Sequence, residues 1–136
     1  MYVICKSKLI PGSNYKTVSK IARKIFNQVK SKTKRRPYLR STYFGDEKIF
    51  LDNFWPHLKQ KNPANRALRL KFLQGAIEMI QHSKKSPFSL KQNSAKKENL
   101  YRFLGRIENH YFIVQIKEDL KRSQKFFMSV FPYTKK

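Results

Sequence analysis

Apolar positions in this chain follow a helical period through the first half and an alternating period through the last third. After Pro11-Gly12-Ser13, apolar residues recur at Val18, Ile21, Ala22, Ile25, Phe26 and Val29, the one-face spacing of an amphipathic helix. Ser13, Asn14 and Thr17 are candidate N-caps, and Lys16, Lys20, Arg23, Lys24 and Lys30 occupy the opposite face. The basic run Lys32-Thr33-Lys34-Arg35-Arg36 follows, and Pro37 marks the stop. The runs 38–44 and 48–51 flank Gly45-Asp46-Glu47 and predict a short hairpin. Asp52 can cap a helical turn carrying Phe54, Trp55 and Leu58, with Pro56 in its first turn. Asn62-Pro63 breaks the chain. A longer helix is predicted from Asn65, with Leu68, Phe72, Leu73, Ala76, Ile77 and Ile80 on one stripe.

The segment 82–98 is polar, rich in Ser and Lys and contains Pro87, so it reads as a surface loop. Beyond it, NLYRFLGRI, HYFIVQIKE and QKFFMSVFP alternate as strands do and predict an antiparallel meander. The pattern as a whole predicts an α+β fold, with N-terminal helices and a C-terminal antiparallel meander. At 136 residues one domain is expected over 1–136, with its core at about 15–133.

Strand parity divides the meander into two faces. Phe112, Val114 and Ile116 alternate with Tyr111, Ile113, Gln115 and Lys117; Phe126, Met128 and Val130 alternate with Lys125, Phe127, Ser129 and Phe131. The first set is wholly apolar and is expected under the helices. The second, joined by Arg102, Leu104 and Arg106, offers cations, an amide, a hydroxyl and rings. Phe127, Phe131 and Tyr111 fit equally a second small core covered by the N-terminal half of the chain.

Charge gives that second face a meaning. There are 31 Lys and Arg against 8 Asp and Glu, a formal net charge of +23, and such an excess repels itself in the compact state, which points to a polyanionic partner. Nucleic acid is the polyanion that suits a face mixing cations with rings, because cations meet phosphates while Tyr111 and Phe127 stack on splayed bases. Arg35, Arg36, Arg106, Gln115 and Lys125 join these rings as candidate nucleic-acid contacts. Arg40 lies in a strand-like run, where the planar fork of arginine suits bidentate phosphate recognition. No apolar run is long enough to span a bilayer, and the N-terminus lacks a secretory pattern, so a cytoplasmic protein is expected. Cys5 is the sole cysteine, which excludes an intramolecular disulfide and a cysteine-built zinc site and leaves a small buried hydrophobe as its expected role.

The acidic residues show no cluster of the kind that two-metal nucleases need, so no metal or other cofactor is expected. Gln115-Ile116-Lys117 matches the Q-x-K variant of restriction-type nuclease cores, but no strand-borne Asp precedes it at useful spacing. Metal-free RNA cleavage needs a proton acceptor, a proton donor and cations for the phosphorane. Histidine, lysine, tyrosine and arginine can fill these roles. His57 is the candidate among three histidines, each of which also has a structural reading: His57 as packing beside Trp55, His82 as a helix C-terminal cation and His110 as a turn residue.

The strings YLRSTYFGDEKIFLDNFWPHL, RALRLKFLQGAIEMIQHS, ENLYRFLGRI, YFIVQIKE and QKFFMSVFP resemble the small phage- and plasmid-borne nucleases of the barnase, EndoU, colicin-nuclease and RelE superfamily. The resemblance covers roughly residues 18 to 133 and rests on pattern. It implies helices on a curved antiparallel sheet, with metal-independent RNA cleavage on the exposed sheet face. It further implies Lys117 as acid or base, Arg40 and Arg102 as phosphate clamps, and Ser129 as a positioning hydroxyl. Tyr101 stands where a histidine would be expected, just before Arg102-Phe103. A chain of this kind acting as a toxin would have an acidic antitoxin or immunity protein as partner. The alternatives are a non-catalytic nucleic-acid-binding module and a metal-dependent DNA nuclease.

Overall fold

A computed structural model describes residues 2–134. The protein is α+β, with a curled open sheet and helices packed on one side of it. In chain order the elements are β1 (Val3–Cys5), α1 (Tyr15–Lys30), β2 (Tyr38–Ser41), β3 (Glu47–Phe50), α2 (Phe54–Leu58), α3 (Pro63–Leu70), α4 (Leu73–His82), β4 (Ser89–Asn93), β5 (Glu98–Ile107), β6 (His110–Asp119) and β7 (Gln124–Pro132).

Helix α1 starts where its cap chemistry dictates: the Asn14 side chain accepts from the Thr17 N–H at 2.9 Å, a bond worth about 1 kcal/mol at such a position. Its apolar stripe buries Val18, Ala22 and Phe26. The helix ends at Lys30, well before Pro37: the Ser31 N–H makes the last i→i−4 bond, to Asn27, and the Lys32 and Thr33 N–H groups then tighten onto the Val29 and Lys30 carbonyls in i→i−3 turns. The hairpin of β2 and β3 turns through Gly45 and Asp46, both at φ 65°. Glycine supplies the first left-handed residue without steric cost.

Two helical expectations are corrected. Asp52 does not cap α2; its carboxylate takes Arg36 instead, with Nε at 2.8 Å and Nη2 at 3.2 Å. The single helix expected from Asn65 is two, interrupted at Lys71 and Phe72. Asn62 caps the first through the Asn65 N–H, and Pro63 occupies its first turn rather than breaking the chain. At the interruption the Lys71 carbonyl accepts from the Ile10 N–H at 3.0 Å, and Phe72 stacks on Phe112 with centroids 5.3 Å apart. The stripe is therefore rephased: Ala67 and Leu70 are buried, while Leu68 is 48% exposed.

The sheet runs β1-β5-β6-β7-β3-β2, with β4 also on β5. The three long strands β5, β6 and β7 form the expected antiparallel meander. Two parallel pairings extend it: β3 against β7 at Ile49 and Phe50, and β1 against β5 at Gly105 to Ile107. The expected core boundary therefore begins too late, since β1 contributes the buried Cys5 and the following segment the buried Ile10. Strand β4 replaces part of the expected 82–98 loop, pairing Ser89–Asn93 with Glu98–Arg102 along the remaining edge of β5. Apart from Leu90 its side chains are polar, and most are exposed, so no hydrophobic alternation announces it.

Close approach of helix and sheet requires Gly105. A Cβ there would meet Met79 Sδ of α4 at 2.5 Å and Phe112 at 2.9 Å, inside any tolerable contact, so α4 lies directly on β5. One continuous core follows, running from Val18 and Ala22 of α1 through Leu70, Leu73 and Ala76 to Phe112, Val114 and Val130.

The two faces of β7 depart from simple alternation. Gln115 pairs with Ser129, but the next residue, Ile116, pairs with Phe127, so Met128 is an extra residue in a bulge. Side chains N-terminal to the bulge are thereby inverted relative to strict parity. Phe127 points under the helices, fully buried, and stacks on Phe54 with centroids 4.7 Å apart. Lys125 follows it inward at 7% exposure. The expected placement of Phe127 and Lys125 on the open face is thus overturned by one inserted residue, and Phe126 takes that face instead.

Candidate nucleic-acid interface

The face of the sheet away from the helices is read from register. One row crosses the sheet as Leu100, Lys117, Phe126, Phe50 and Tyr38; the next as Arg102, Gln115 and Ser129; a third as Leu104, Ile113 and Phe131. Cross-strand partners stand on the same side, about 4.5–5.5 Å apart, so the polar members form one patch. Arg102 donates from Nε to Gln115 Oε1 at 3.2 Å, which leaves its terminal nitrogens for other acceptors. Lys117 lies 3.7 Å from the Glu98 carboxylate and 5.8 Å from the Phe126 ring centroid. Ser129 is 4% exposed, on the same row as Gln115.

Strand β3 pairs with β7 only as far as Phe126, and beyond that point α2 and α3 pack against the free edge of β7. They bring in two groups. Arg69 of α3 places its guanidinium 5.2 Å from the Phe131 ring centroid, on the side opposite to Arg102 in the row order, which lies 5.8 Å from the same ring. Arg69 is held by the Asn65 side chain at 2.6 Å. His57 of α2 is half-buried, and its pKa is lowered, first by desolvation and then by the positive charges of Lys61, Arg69 and Lys117. The imidazole is therefore neutral at pH 7, with a free nitrogen able to accept a proton.

The patch thus unites Lys117, Arg102, Gln115 and Ser129, and His57 of α2 is close enough for the charges of Lys117 and Arg69 to lower its pKa. Other sequence candidates lie elsewhere. Arg40 is exposed on β2 at the far edge of the sheet, donating to the Asp46 carbonyl at 3.0 Å. Arg106 and Tyr111 form a cross-strand pair at the β1 side, where Arg106 donates to the Glu108 carbonyl at 3.2 Å. Arg35 and Arg36 border the outer strands, with Arg36 3.9 Å above the Phe50 ring. His82 is exposed at the end of α4, and His110 is exposed at the start of β6.

Lys125 is occupied by a different task. Its Nζ lies 2.7 Å from Glu47 and 3.2 Å from Glu118. Glu118 also accepts from Asn99 and from the Tyr101 hydroxyl, each at 2.9 Å. Burial opposes ionisation of Glu118, but these hydrogen bonds and the Lys125 charge prevail and lower its pKa. Tyr101 moves the other way, to about 12, because of burial and the adjacent carboxylate. This network ties β3, β5, β6 and β7 together at one end of the sheet, and a phenol shifted so far upward is a poor proton donor at neutral pH.

Sequence reasoning missed Arg69, Phe126, Phe50 and Tyr38 as members of the open face. Arg69 carries no signal of its own, since its proximity to Phe131 arises from the packing of α3 along β7. The Phe126-Phe127 doublet did carry one: consecutive rings in an otherwise alternating strand mark burial on both faces or a bulge. Among the described residues, no three His, Cys, Asp or Glu side chains are grouped so as to hold a metal ion, and no helix is long and apolar enough to cross a membrane. Comparison of the chain with protein-family models, curated proteins and solved structures finds no match.

Proposed function

We propose that this protein is a metal-independent endoribonuclease of the barnase, EndoU, colicin-nuclease and RelE type, working on the open sheet face. The observation that carries the reading is the meeting of Arg102, Lys117, Gln115 and Ser129 in adjacent register positions, with His57 held neutral by burial and surrounding cations. In the reaction His57 accepts the proton of a ribose 2′-hydroxyl, whose oxygen attacks the adjacent phosphorus. Arg102 and Arg69 stabilise the charge of the phosphorane. Lys117 protonates the departing 5′-oxygen, leaving a 2′,3′-cyclic phosphate and a free 5′-hydroxyl. Gln115 orients Arg102, while Ser129, buried in the same row, is too enclosed to meet the phosphate directly. Such an enzyme acts in the cytoplasm, and its basic face fits an acidic antitoxin or immunity protein as inhibitor.

The non-catalytic alternative shares the same binding face, and the Q-x-K alternative shares Gln115 and Lys117. Incubation with RNA and with DNA in excess EDTA separates them: RNA products alone support the ribonuclease, salt-sensitive binding without products supports the binding module, and DNA cutting that EDTA abolishes supports the third reading.

A further inference from the structure

The open face extends beyond the patch just described, along the row Phe126, Phe50 and Tyr38. Ring centroids are 6.1 Å apart for Phe50 and Phe126 and 6.2 Å for Tyr38 and Phe50. Cations lie over this row: Arg36 is 3.9 Å from the Phe50 centroid, Lys48 is 4.8 Å from that of Tyr38, and Lys117 is 5.8 Å from that of Phe126. A separation of 3.9 Å places the Arg36 guanidinium over the ring face, since an edge approach cannot come so close. Asp52 holds that guanidinium through two of its nitrogens. Tyr38 and Phe50 are partly exposed while Phe126 is buried, so the row meets solvent at its β2 and β3 end, on the flank of the sheet.

Beside the row runs a groove of about 580 Å³ whose cations are Lys32, Lys34, Arg35, Arg36 and Lys48, with Tyr38 and Phe50 as its apolar part. No acidic residue lines it. The basic run after α1 is thereby brought against the rings, a combination of charge and flat surface that neither a solvated lysine loop nor a packed core requires. Cations track a phosphate backbone, while rings and guanidinium planes stack on bases.

We propose that this row and groove form a second subsite, which takes unpaired nucleotides of a single-stranded RNA flanking the bond cleaved beside Lys117. The inference rests on the ribonuclease reading for the identity of the nucleic acid, and it adds the requirement for unpaired bases. Stacking needs exposed base faces, which a duplex does not present. From Lys117 on β6 the row crosses to β7, β3 and β2, so at about 4.8 Å per strand it reaches about 14 Å from that side chain.

The test is binding without turnover. A 2′-O-methyl oligoribonucleotide of about ten residues, within the span that single-strand grooves cover, is titrated against the protein alone and as a duplex, with anisotropy as readout. The parent protein is expected to bind the single strand more tightly. Tyr38→Leu with Phe50→Leu, which keeps apolar bulk and removes the ring faces, is expected to weaken single-strand binding at least about tenfold and duplex binding by less than about twofold. Arg35→Glu with Lys48→Glu, at exposed positions that leave folding intact, is expected to weaken the single strand by a similar factor. Unchanged single-strand affinity in the charge-reversed variant, or equal losses for strand and duplex in the leucine variant at an unaltered melting midpoint, would overturn the subsite. Cleavage with unaltered binding in these variants removes the subsite and leaves the ribonuclease reading. Intact single-strand preference without cleavage removes that reading and leaves the subsite.

Discussion

Lys117 stands directly across from Phe126, its ammonium 5.8 Å from the ring centroid, while the next residue along β7, Phe127, has turned to the opposite face and lies fully buried. One bulged residue thus decides which of two adjacent phenylalanines packs under the helices and which lies on the other face of the sheet, where Phe126 is 4% exposed beneath its neighbours.

Phe127→Ala is expected to cost about 3–5 kcal/mol of stability, as removal of a fully buried ring does. Denaturant unfolding measures it. A cost under about 1 kcal/mol would mean that Phe127 is not packed on Phe54 and that the bulge is misplaced.

Lys125 is a structural cation in this account. Lys125→Met strips Glu47 and Glu118 of their shared partner, and breaking a buried pair on one side costs about 3–5 kcal/mol; because Glu47 is substantially exposed, a loss in the lower part of that range is expected. RNA affinity and its salt dependence are expected to stay as in the parent. A flatter dependence of log affinity on log salt would instead count Lys125 among the phosphate contacts.

His57 gives the pH dependence its sign. Its folded pKa lies below the ordinary value of 6.5, so the unfolded chain binds the extra proton more readily. The stability tied to His57 is therefore fully present above about pH 6.5 and is lost as pH falls from there through the folded pKa. Cleavage that uses the neutral imidazole falls away on the same acidic side. His57→Gln is expected to lower the rate by about 100- to 10,000-fold and to flatten that acidic limb. A variant that keeps the limb shows that another group is the base.

Cys5 is buried beside the Gly75 carbonyl, and burial together with the Glu78 charge pushes its thiol up to about 12. It is expected to resist alkylation at neutral pH in the folded protein and to react once denatured. Rapid labelling of the native protein would contradict the packing of β1 on α4.

Much of this architecture was legible in the pattern of the sequence. The stripe of α1, the hairpin at Gly45-Asp46 and the three meander strands all bury apolar residues at the period of their own element, so the sequence spells them out. What escaped it depended on partners distant in the chain. Strand β4 has Leu90 as its one apolar side chain, itself exposed, and is held by its pairing with the edge of β5. The break at Lys71-Phe72 follows from the docking of Ile10 and Phe112. On the candidate site, parity within β5 and β6 placed Arg102, Gln115 and Lys117 together, but parity alone could not see the bulge in β7. Nor could it bring His57 and Arg69 to the patch, since that proximity arises where β3 leaves β7 and helices take over its edge.

The most direct test of the central claim is product analysis of an unpaired RNA incubated with the protein in excess EDTA. Cleavage to 2′,3′-cyclic phosphate and 5′-hydroxyl ends is expected, with the rate lowered about 100-fold or more in Lys117→Ala and in Arg102→Ala. Intact RNA after incubation with folded protein, or cleavage at an undiminished rate in both variants, would contradict the claim.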